Sequence, residues 1–381
     1  MLINAAILGA ALIVIILWDT FETIVLPRRV TRRFRLTRLF YRYSWLLWSS
    51  AVRSMPATRR RQEVCLGFFG PLSLLLLLGV WAAGVILGFA LINWSLHSLL
   101  LAQEAAAGFS DYLYSSATTF FTLGIGEAAT LGTFAKALTI IEAGLGFGLL
   151  ALVISYLPAI SQSFSRREVN ISLLDARAGS PSTAFEMLYR QSRCRGIEEL
   201  VRVLYEWERW SAELLESHLS YPVLAYFRSQ HENQSWLSAL TTILDTSAFV
   251  AVGLEGACVD QARLTFAIAR HAVVDLALVF SCPPRRGDHD RLKPSDFIYM
   301  RDELNAAGLR IRRDESAIQE LTELRLLYEP YIFSLADYLH LTIPPWCTET
   351  GRPDNWQTSA WDGVALQGKR RTRGRIEDGH F

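Results

Sequence analysis

The fold is decided by the stretch Ser115-Ser116-Ala117-Thr118-Thr119-Phe120-Phe121-Thr122-Leu123-Gly124-Ile125-Gly126-Glu127. It ends a short amphipathic run that begins at Phe109, and a long apolar helix is predicted on either side of it. Non-helical backbone at membrane depth survives only where it is buried in protein or lines water. One chain cannot bury a single loop in this way, whereas four copies around one axis can, so the stretch predicts a homotetramer.

The stretch resembles the pore loop of tetrameric potassium channels, prokaryotic ones in particular, whose selectivity filter reads Thr-Val-Gly-Tyr-Gly-Asp. A dehydrated K⁺ needs rings of oxygen ligands, which four chains supply as consecutive backbone carbonyls, and glycines tolerate the backbone angles this requires. The resemblance covers roughly residues 66–164 and implies passive conduction of K⁺ or another monovalent cation, with K⁺ as the permeant ion and no cofactor. The filter residues it implies are Thr122, Leu123, Gly124, Ile125 and Gly126, with Glu127 at the outer mouth.

The stretch departs from the family pattern in its aromatic residues. Ile125 replaces the tyrosine whose ring packs behind the filter, and Ser115 and Ser116 stand where tryptophans often lie. Leu123 for valine is a mild change, and Glu127 for aspartate keeps a carboxylate that concentrates cations at the outer mouth. A K⁺-selective pore and a loosely cation-selective pore therefore both remain open.

The inner helix, predicted from about Thr133 to Phe164, carries one acid, Glu142. An intramembrane carboxyl is a functional candidate by default. We expect it behind the filter, bonded to pore-helix hydroxyls such as Thr118 or Thr119, with an ion-facing position as the alternative. Three glycines of the same helix, Gly144, Gly146 and Gly148, predict either a gating hinge or close packing. Pro158 predicts a kink or the end of the helix near the cytoplasmic mouth.

Residues 1–27 are predicted to form an additional membrane-spanning helix, since their apolar run approaches the roughly 20 residues that a crossing needs. The competing interpretation, a signal peptide, is disfavoured because the run lacks a basic n-region and is followed by arginines. Asp19 and Glu22 lie one turn apart near its end. They predict an interfacial salt bridge with those arginines rather than a sensor.

Residues 28–63 form a basic segment, with eleven arginines and no acid between Arg28 and Arg61. Interleaved aromatic and aliphatic residues predict an amphipathic helix in the headgroup layer that contacts anionic lipid. Nucleic acid is disfavoured by the flanking apolar spans, and a voltage sensor by the irregular arginine spacing. Between Cys65 and Phe164 the only Lys or Arg is Lys136. The positive-inside rule then predicts a multi-pass protein of the cell (inner) membrane, with the N-terminus and filter outside and the arginines and C-terminal domain in the cytoplasm.

Residues 64–164 are predicted to form the pore domain. The chain that follows is predicted to form a soluble helical domain over residues 165–343 and a disordered polar tail over residues 344–381. Apolar spacing of three and four residues predicts helical stretches at Ser182–Ser217, Tyr221–His231, Trp236–Val279, Pro294–Ala307 and Asp314–His340. The sequence has no Gly-x-Gly-x-x-Gly after a predicted strand, so it does not indicate a Rossmann-type ligand-sensing domain. The regulatory ligand, if there is one, cannot be identified from this part of the sequence.

The composition argues against an enzyme or a metal site. The chain has 381 residues, 51% of them hydrophobic, and a net charge of +1, so no global charge indicates nucleic acid. The five cysteines are far apart, and no nucleophile lies beside a base. We therefore predict an all-α membrane protein that conducts cations. The alternative is a membrane-anchored signalling or scaffold protein whose pore unit serves only for tetramerisation.

Overall fold

The computed structural model describes residues 2–26, 35–100, 108–123, 133–194, 197–230, 234–254, 257–312 and 315–347. Every regular element in these ranges is helical, and none of them is a strand. Four helices are long and apolar enough to cross a membrane: Ile3–Val25, Arg59–Leu96, Thr133–Ala178 and Trp236–Gly253. The protein is thus an all-α membrane protein, as predicted.

The chain divides into two compact units, Met1–Gln162 and Ser163–Phe381. The first unit begins with α1 (Leu2–Thr20), which one π-helical turn (Phe21–Val25) prolongs, and continues with α2 (Leu36–Ser54), α3 (Arg59–Gly67), α4 (Phe69–Leu100) and α5 (Phe109–Phe120). The last helix of this unit, α6 (Thr133–Ala178), continues into the second unit. The second unit adds α7 (Ala184–Cys194), α8 (Ile197–Ser220), a 3₁₀ turn (Pro222–Tyr226), α9 (Trp236–Gly253), α10 (Ala257–Phe280), α11 (Pro294–Ala306), α12 (Glu315–Leu326) and α13 (Glu329–Leu339).

Helices α1 and α4 pack closely in the first unit because small residues lie where they cross. A Cβ on Gly9 would fall 2.5 Å from the carbonyl oxygen of Gly88, and a Cβ on Gly84 would fall 2.9 Å from Ile16. Lipid is as apolar as leucine, so helices in a membrane associate through close packing rather than through the hydrophobic effect. Gly84 and Gly88 thus allow α4 to approach α1 closely.

Helix α9 is the core of the second unit. It contacts α7, α8, α10, α12 and α13, and 94% of its most apolar window is buried. Its length and composition resemble a membrane span, but its apolar surface is covered by other helices of the unit. Its buried threonine hydroxyls are satisfied internally: Thr241 donates to the Leu237 carbonyl at 2.7 Å and Thr242 to that of Ser238 at 3.1 Å.

A buried cluster of charged residues in the second unit also contacts residues beyond 343, the predicted end of the domain. Arg291 contacts Asp245 at 2.6 Å and donates to the Pro344 carbonyl at 2.9 Å. The hydroxyl of Tyr328 donates to the same aspartate at 2.5 Å. Trp346 is 1% exposed. Residues 344–347 are therefore part of the packed domain, contrary to the predicted disorder from 344; the rest of the predicted tail lies outside the described residues.

Several predicted helix boundaries in the second unit are wrong. Ser182–Ser217 and Trp236–Val279 are each divided between two helices, and Tyr221–His231 contains only the 3₁₀ turn. The division after α9 follows from Leu254, which takes an extended conformation. Pro222 has no N–H to continue α8, and its ring holds the preceding residue away from helical angles.

Candidate functional site: the pore helix and its supports

Helix α5 forms where the sequence predicts a pore helix, and the side chain of Asp111 caps its first turn. Asp111 accepts a hydrogen bond at 2.9 Å from the backbone N–H of Gly108, just before the helix begins. The ring of Phe109 packs edge-on against Trp94 of α4, with 5.8 Å between centroids. A carboxylate in the first turn also suits the positive end of the helix dipole. The start of α5 is thus determined both by a local cap and by contact with α4.

The end of α5 is a tight left-handed turn at Thr122, the first of the predicted filter residues. Thr122 has φ 55°, a conformation unusual for a β-branched residue. Its N–H donates to the Thr119 carbonyl and the N–H of Leu123 donates to the Thr118 carbonyl, both at 2.9 Å. This pair of bonds is the Schellman pattern that ends a helix. The turn leads directly into the remaining predicted filter residues Gly124, Ile125 and Gly126 and into Glu127, all of which lie outside the described residues.

Glu142 lies behind the pore helix, 1% exposed, and contacts the hydroxyl of Ser116. Ser116 is itself 2.8 Å from the carbonyl oxygen of Ile86 in α4. The expected partners were Thr118 or Thr119, but the hydroxyl of Thr118 donates to the Ser115 carbonyl within α5 at 2.9 Å. The carboxyl of Glu142 thus belongs to a polar chain that joins α4, α5 and α6.

The hydroxyl of Ser116 carries one hydrogen, which restricts how this chain can be bonded. If Ser116 donates to Glu142, the Ile86 carbonyl receives no hydrogen from it. If Glu142 carries a proton and donates to Ser116, then Ser116 can donate to Ile86, and both contacts are hydrogen bonds. A side chain at position 142 that offers a donor therefore satisfies the whole chain.

Gly146, one turn further along α6, touches the end of the pore helix. A Cβ at this position would lie 2.2 Å from the Phe120 carbonyl oxygen and 3.0 Å from its carbon. Gly144 and Gly148 have open space at the same atom within the described protomer. Of the two interpretations for these glycines, the geometry of Gly146 is that of close packing, and its partner is α5.

Pro158 does not end the inner helix. Helix α6 contains it and continues to Ala178, beyond the predicted end at Phe164. A proline inside a helix removes one backbone hydrogen bond, which the turns on either side can tolerate. The helix that flanks the pore loop is therefore the same continuous element that enters the second unit.

Two buried acids join the N-terminal span to the basic segment. Asp19 accepts hydrogen bonds from the Thr37 N–H at 3.2 Å, from its hydroxyl at 2.5 Å and from the Trp81 indole at 2.9 Å. Glu22 accepts from Trp18 at 2.7 Å and pairs with Arg35 at 3.4 Å. The predicted salt bridge with an arginine is formed by Glu22, whereas Asp19 caps α2 and contacts α4.

Residues 36–54 of the basic segment form the amphipathic helix α2. Residues 28–34 of the segment lie outside the described part. Trp45 packs on Phe69 at a centroid distance of 4.9 Å, and the Trp48 indole donates to the Cys65 carbonyl at 3.1 Å. Exposed apolar and basic side chains share the rest of its surface, among them Leu39, Tyr43, Leu46, Leu47, Arg38 and Arg42. This mixture suits a lipid headgroup layer.

Sequence reasoning missed the specific partners of the buried acids, which are Ser116, Thr37 and Trp81. The acids themselves were a sufficient signal that partners exist, because an unpaired carboxylate is costly in a membrane. Among the described residues, no group of three or more His, Cys, Asp or Glu could hold a metal ion.

Comparison with known proteins supports an ion channel. Residues 75–161 match a family model described as an ion channel. The chain is 27% identical over 195 residues to a protein of Bacillus subtilis (strain 168) described as uncharacterized membrane protein YdjJ, covering 50% of this chain and 55% of the relative. The chain thus spans about half the length of that curated relative. No solved structure matches the chain. Residues 75–161 are accordingly an ion-channel-like domain of a membrane protein, which favours a transport role over an enzymatic one.

Proposed function

We propose that this protein conducts K⁺, or monovalent cations more generally, through a pore formed by its 109–127 stretch. The single observation that carries the proposal is the support of α5 by its neighbours. The helix is bonded to α4 and α6 through Ser116 and Glu142, and its last carbonyl lies against Gly146. A pore helix fixed in this way positions the backbone that follows it, as a carbonyl-lined filter requires.

The pore is proposed to be a homotetramer. Helix α6 exposes a row of large apolar side chains, and only 17% of its most apolar window is buried in one protomer. The exposed residues include Ile140, Phe147, Leu150 and Ile154. Other copies and lipid together can cover such a surface. Mass measurement of the purified protein in detergent should give four copies, and a protein that is only monomeric or dimeric would exclude this pore.

The proposed orientation places the basic segment in the cytoplasm and the start of α5 outside. Ser50 in α2 and Ser110 in α5 are both exposed, so each is a suitable position for a cysteine. In intact cells an impermeant thiol reagent should label Ser110→Cys and leave Ser50→Cys unlabelled. The opposite labelling would reverse the topology.

Gating is proposed to act through α6, because the second unit holds the far part of this helix. Arg167 is 4% exposed and donates to the carbonyls of Leu224 and Phe227, each at 2.8 Å. The ring of Phe164 packs on that of Phe227 with 5.5 Å between centroids. A guanidinium buried on two carbonyls is expensive to release, so rearrangement of the second unit should move the helix with it.

Conduction is tested by ion flux into liposomes that contain the purified protein, with K⁺ and Na⁺ gradients compared. Gly126→Ala should abolish flux, because a Cβ opposes the backbone angles of a carbonyl ladder. Gly148→Ala, at an open position of α6, is the matched control and should conduct. Normal flux in Gly126→Ala would mean that ions do not pass through this stretch. Absence of flux in the wild type, with a stable tetramer, would favour the scaffold alternative.

A further inference from the structure

The second unit contains a cavity of about 300 Å³ between the last part of α6 and the C-terminal half of α8. Its volume is at the lower limit of small-molecule sites. Helix α6 contributes Arg166 and Arg167 to the lining, and α8 contributes Trp210, Glu213 and Glu216. The lining therefore brings two cations of α6 and two anions of α8 to one small space, together with an aromatic residue.

Some of these groups already have partners and some do not. Arg167 is bonded to carbonyls, and Glu213 pairs with Arg209 at 3.1 Å outside the cavity. Arg166 and Glu216 make no ion pair with any residue in the described part of the chain. The indole Nε1 of Trp210, a residue only 3% exposed, has no hydrogen-bond partner there either. Two unpaired charges of opposite sign, on Arg166 and Glu216, therefore line one cavity and can each take a partner from a ligand.

We propose that this cavity binds a small zwitterion, of the class of an α-amino acid. Its carboxylate would pair with Arg166, and its ammonium group would pair with Glu216. A simple anion would meet the two glutamates, and a simple cation would meet the two arginines. Only a ligand with both charges satisfies the unpaired groups without creating a new repulsion.

Such a ligand would connect α6 to α8 at the same level as the Arg167 contacts. Its regulatory consequence rests on the proposed function, since binding would favour the conformation in which α6 is held by the second unit. The binding itself does not depend on conduction. A protein that binds the ligand but passes no ions would keep this inference and refute only the channel.

The test uses the full-length protein in detergent, titrated calorimetrically with each of the standard α-amino acids and with glycine betaine. At least one should bind, and its amine and its carboxylic acid, each with a single charge, should bind at least about tenfold more weakly. Arg166→Gln and Glu216→Gln should each weaken binding by a similar factor. Both side chains are exposed, so circular dichroism should confirm that the variants fold.

Arg202→Gln is the matched control, because Arg202 is exposed on α8, pairs with Glu199 and Glu206, and does not line the cavity. It should bind as the wild type does. No binding by any compound in the panel, equal binding by a singly charged analogue, or binding unchanged in both Arg166→Gln and Glu216→Gln would each overturn the proposal.

Discussion

Replacing Gly146 by alanine tests whether α6 supports the pore helix by close packing or provides a flexible hinge. The added Cβ would lie 2.2 Å from the carbonyl oxygen of Phe120, about 1 Å short of ordinary contact. The obstructing atom is backbone, so no rotamer change can relieve it. Either α6 or the end of α5 must shift, and Thr122 and Leu123 follow directly after that end.

The expected cost can be estimated from two opposing effects. Overpacking costs about 1–3 kcal/mol, and a clash with backbone belongs near the upper limit. Glycine to alanine within a helix contributes about 1 kcal/mol in the opposite direction. A net loss of about 2 kcal/mol per protomer remains for Gly146→Ala. At Gly144 and Gly148 the Cβ meets nothing within 4 Å in the protomer, so alanine there should be neutral or stabilising.

The assay is thermal unfolding of the purified protein in detergent, combined with K⁺ flux into liposomes for the same three variants. Gly146→Ala should unfold at a lower temperature and lose flux or selectivity for K⁺ over Na⁺. Gly144→Ala and Gly148→Ala should keep both properties. A hinge that depends on glycine flexibility predicts impaired gating in all three variants. Wild-type behaviour of Gly146→Ala would refute the packing argument.

Three further predictions concern buried polar groups. Glu142→Gln keeps a hydrogen-bond donor for Ser116 and should conduct, whereas Glu142→Ala should lose ion flux and stability. Equal liposome flux in the two variants would exclude a role of Glu142 in holding α5 in place. Asp19→Leu leaves the Trp81 indole without its acceptor and should destabilise the first unit by about 1–3 kcal/mol in thermal unfolding, and an unchanged midpoint would contradict this. Burial, together with the charge of Arg167, lowers the pKa of His218 from 6.5 to about 3, so the unfolded chain binds this proton more readily than the folded one. Stability of the second unit, followed by tryptophan fluorescence, should be full above about pH 6.5 and fall towards pH 3, and His218→Gln should reduce that fall.

The membrane-spanning helices and the pore helix could be predicted from the sequence because their signal is local. Long apolar runs, the amphipathic run from Phe109 and the change of pattern at Thr122 each depend on neighbouring residues only. The charge asymmetry of the loops likewise requires no tertiary structure. These features predict an ion-channel-like unit without a structure, and the match of residues 75–161 to an ion channel model agrees with them.

Tertiary partners could not be predicted, since they depend on how distant segments align. Ser116 and Glu142 meet only because α5 and α6 pack in one register, and the sequence offered Thr118 and Thr119 as equally plausible donors. The Arg291 cluster is similar: its partner Asp245 is fully buried, whereas isolated arginine and aspartate residues are usually exposed. The predicted helix end at Pro158 is wrong, because the helix-breaking tendency of proline is overridden where neighbouring turns hold the backbone.

The helices of the two units are held together by different physical interactions. The second unit is proposed to lie in water, where the hydrophobic effect supplies the driving force for burying α9 among the other helices. In the first unit that force is absent between helices surrounded by lipid, and packing must rely on small residues and buried polar bonds. Asp19 and Glu142 each belong to a hydrogen-bonded group that joins three helices. An unpaired carboxylate is costly in a membrane, so these bonds favour the helix arrangement in which both carboxyl groups have partners.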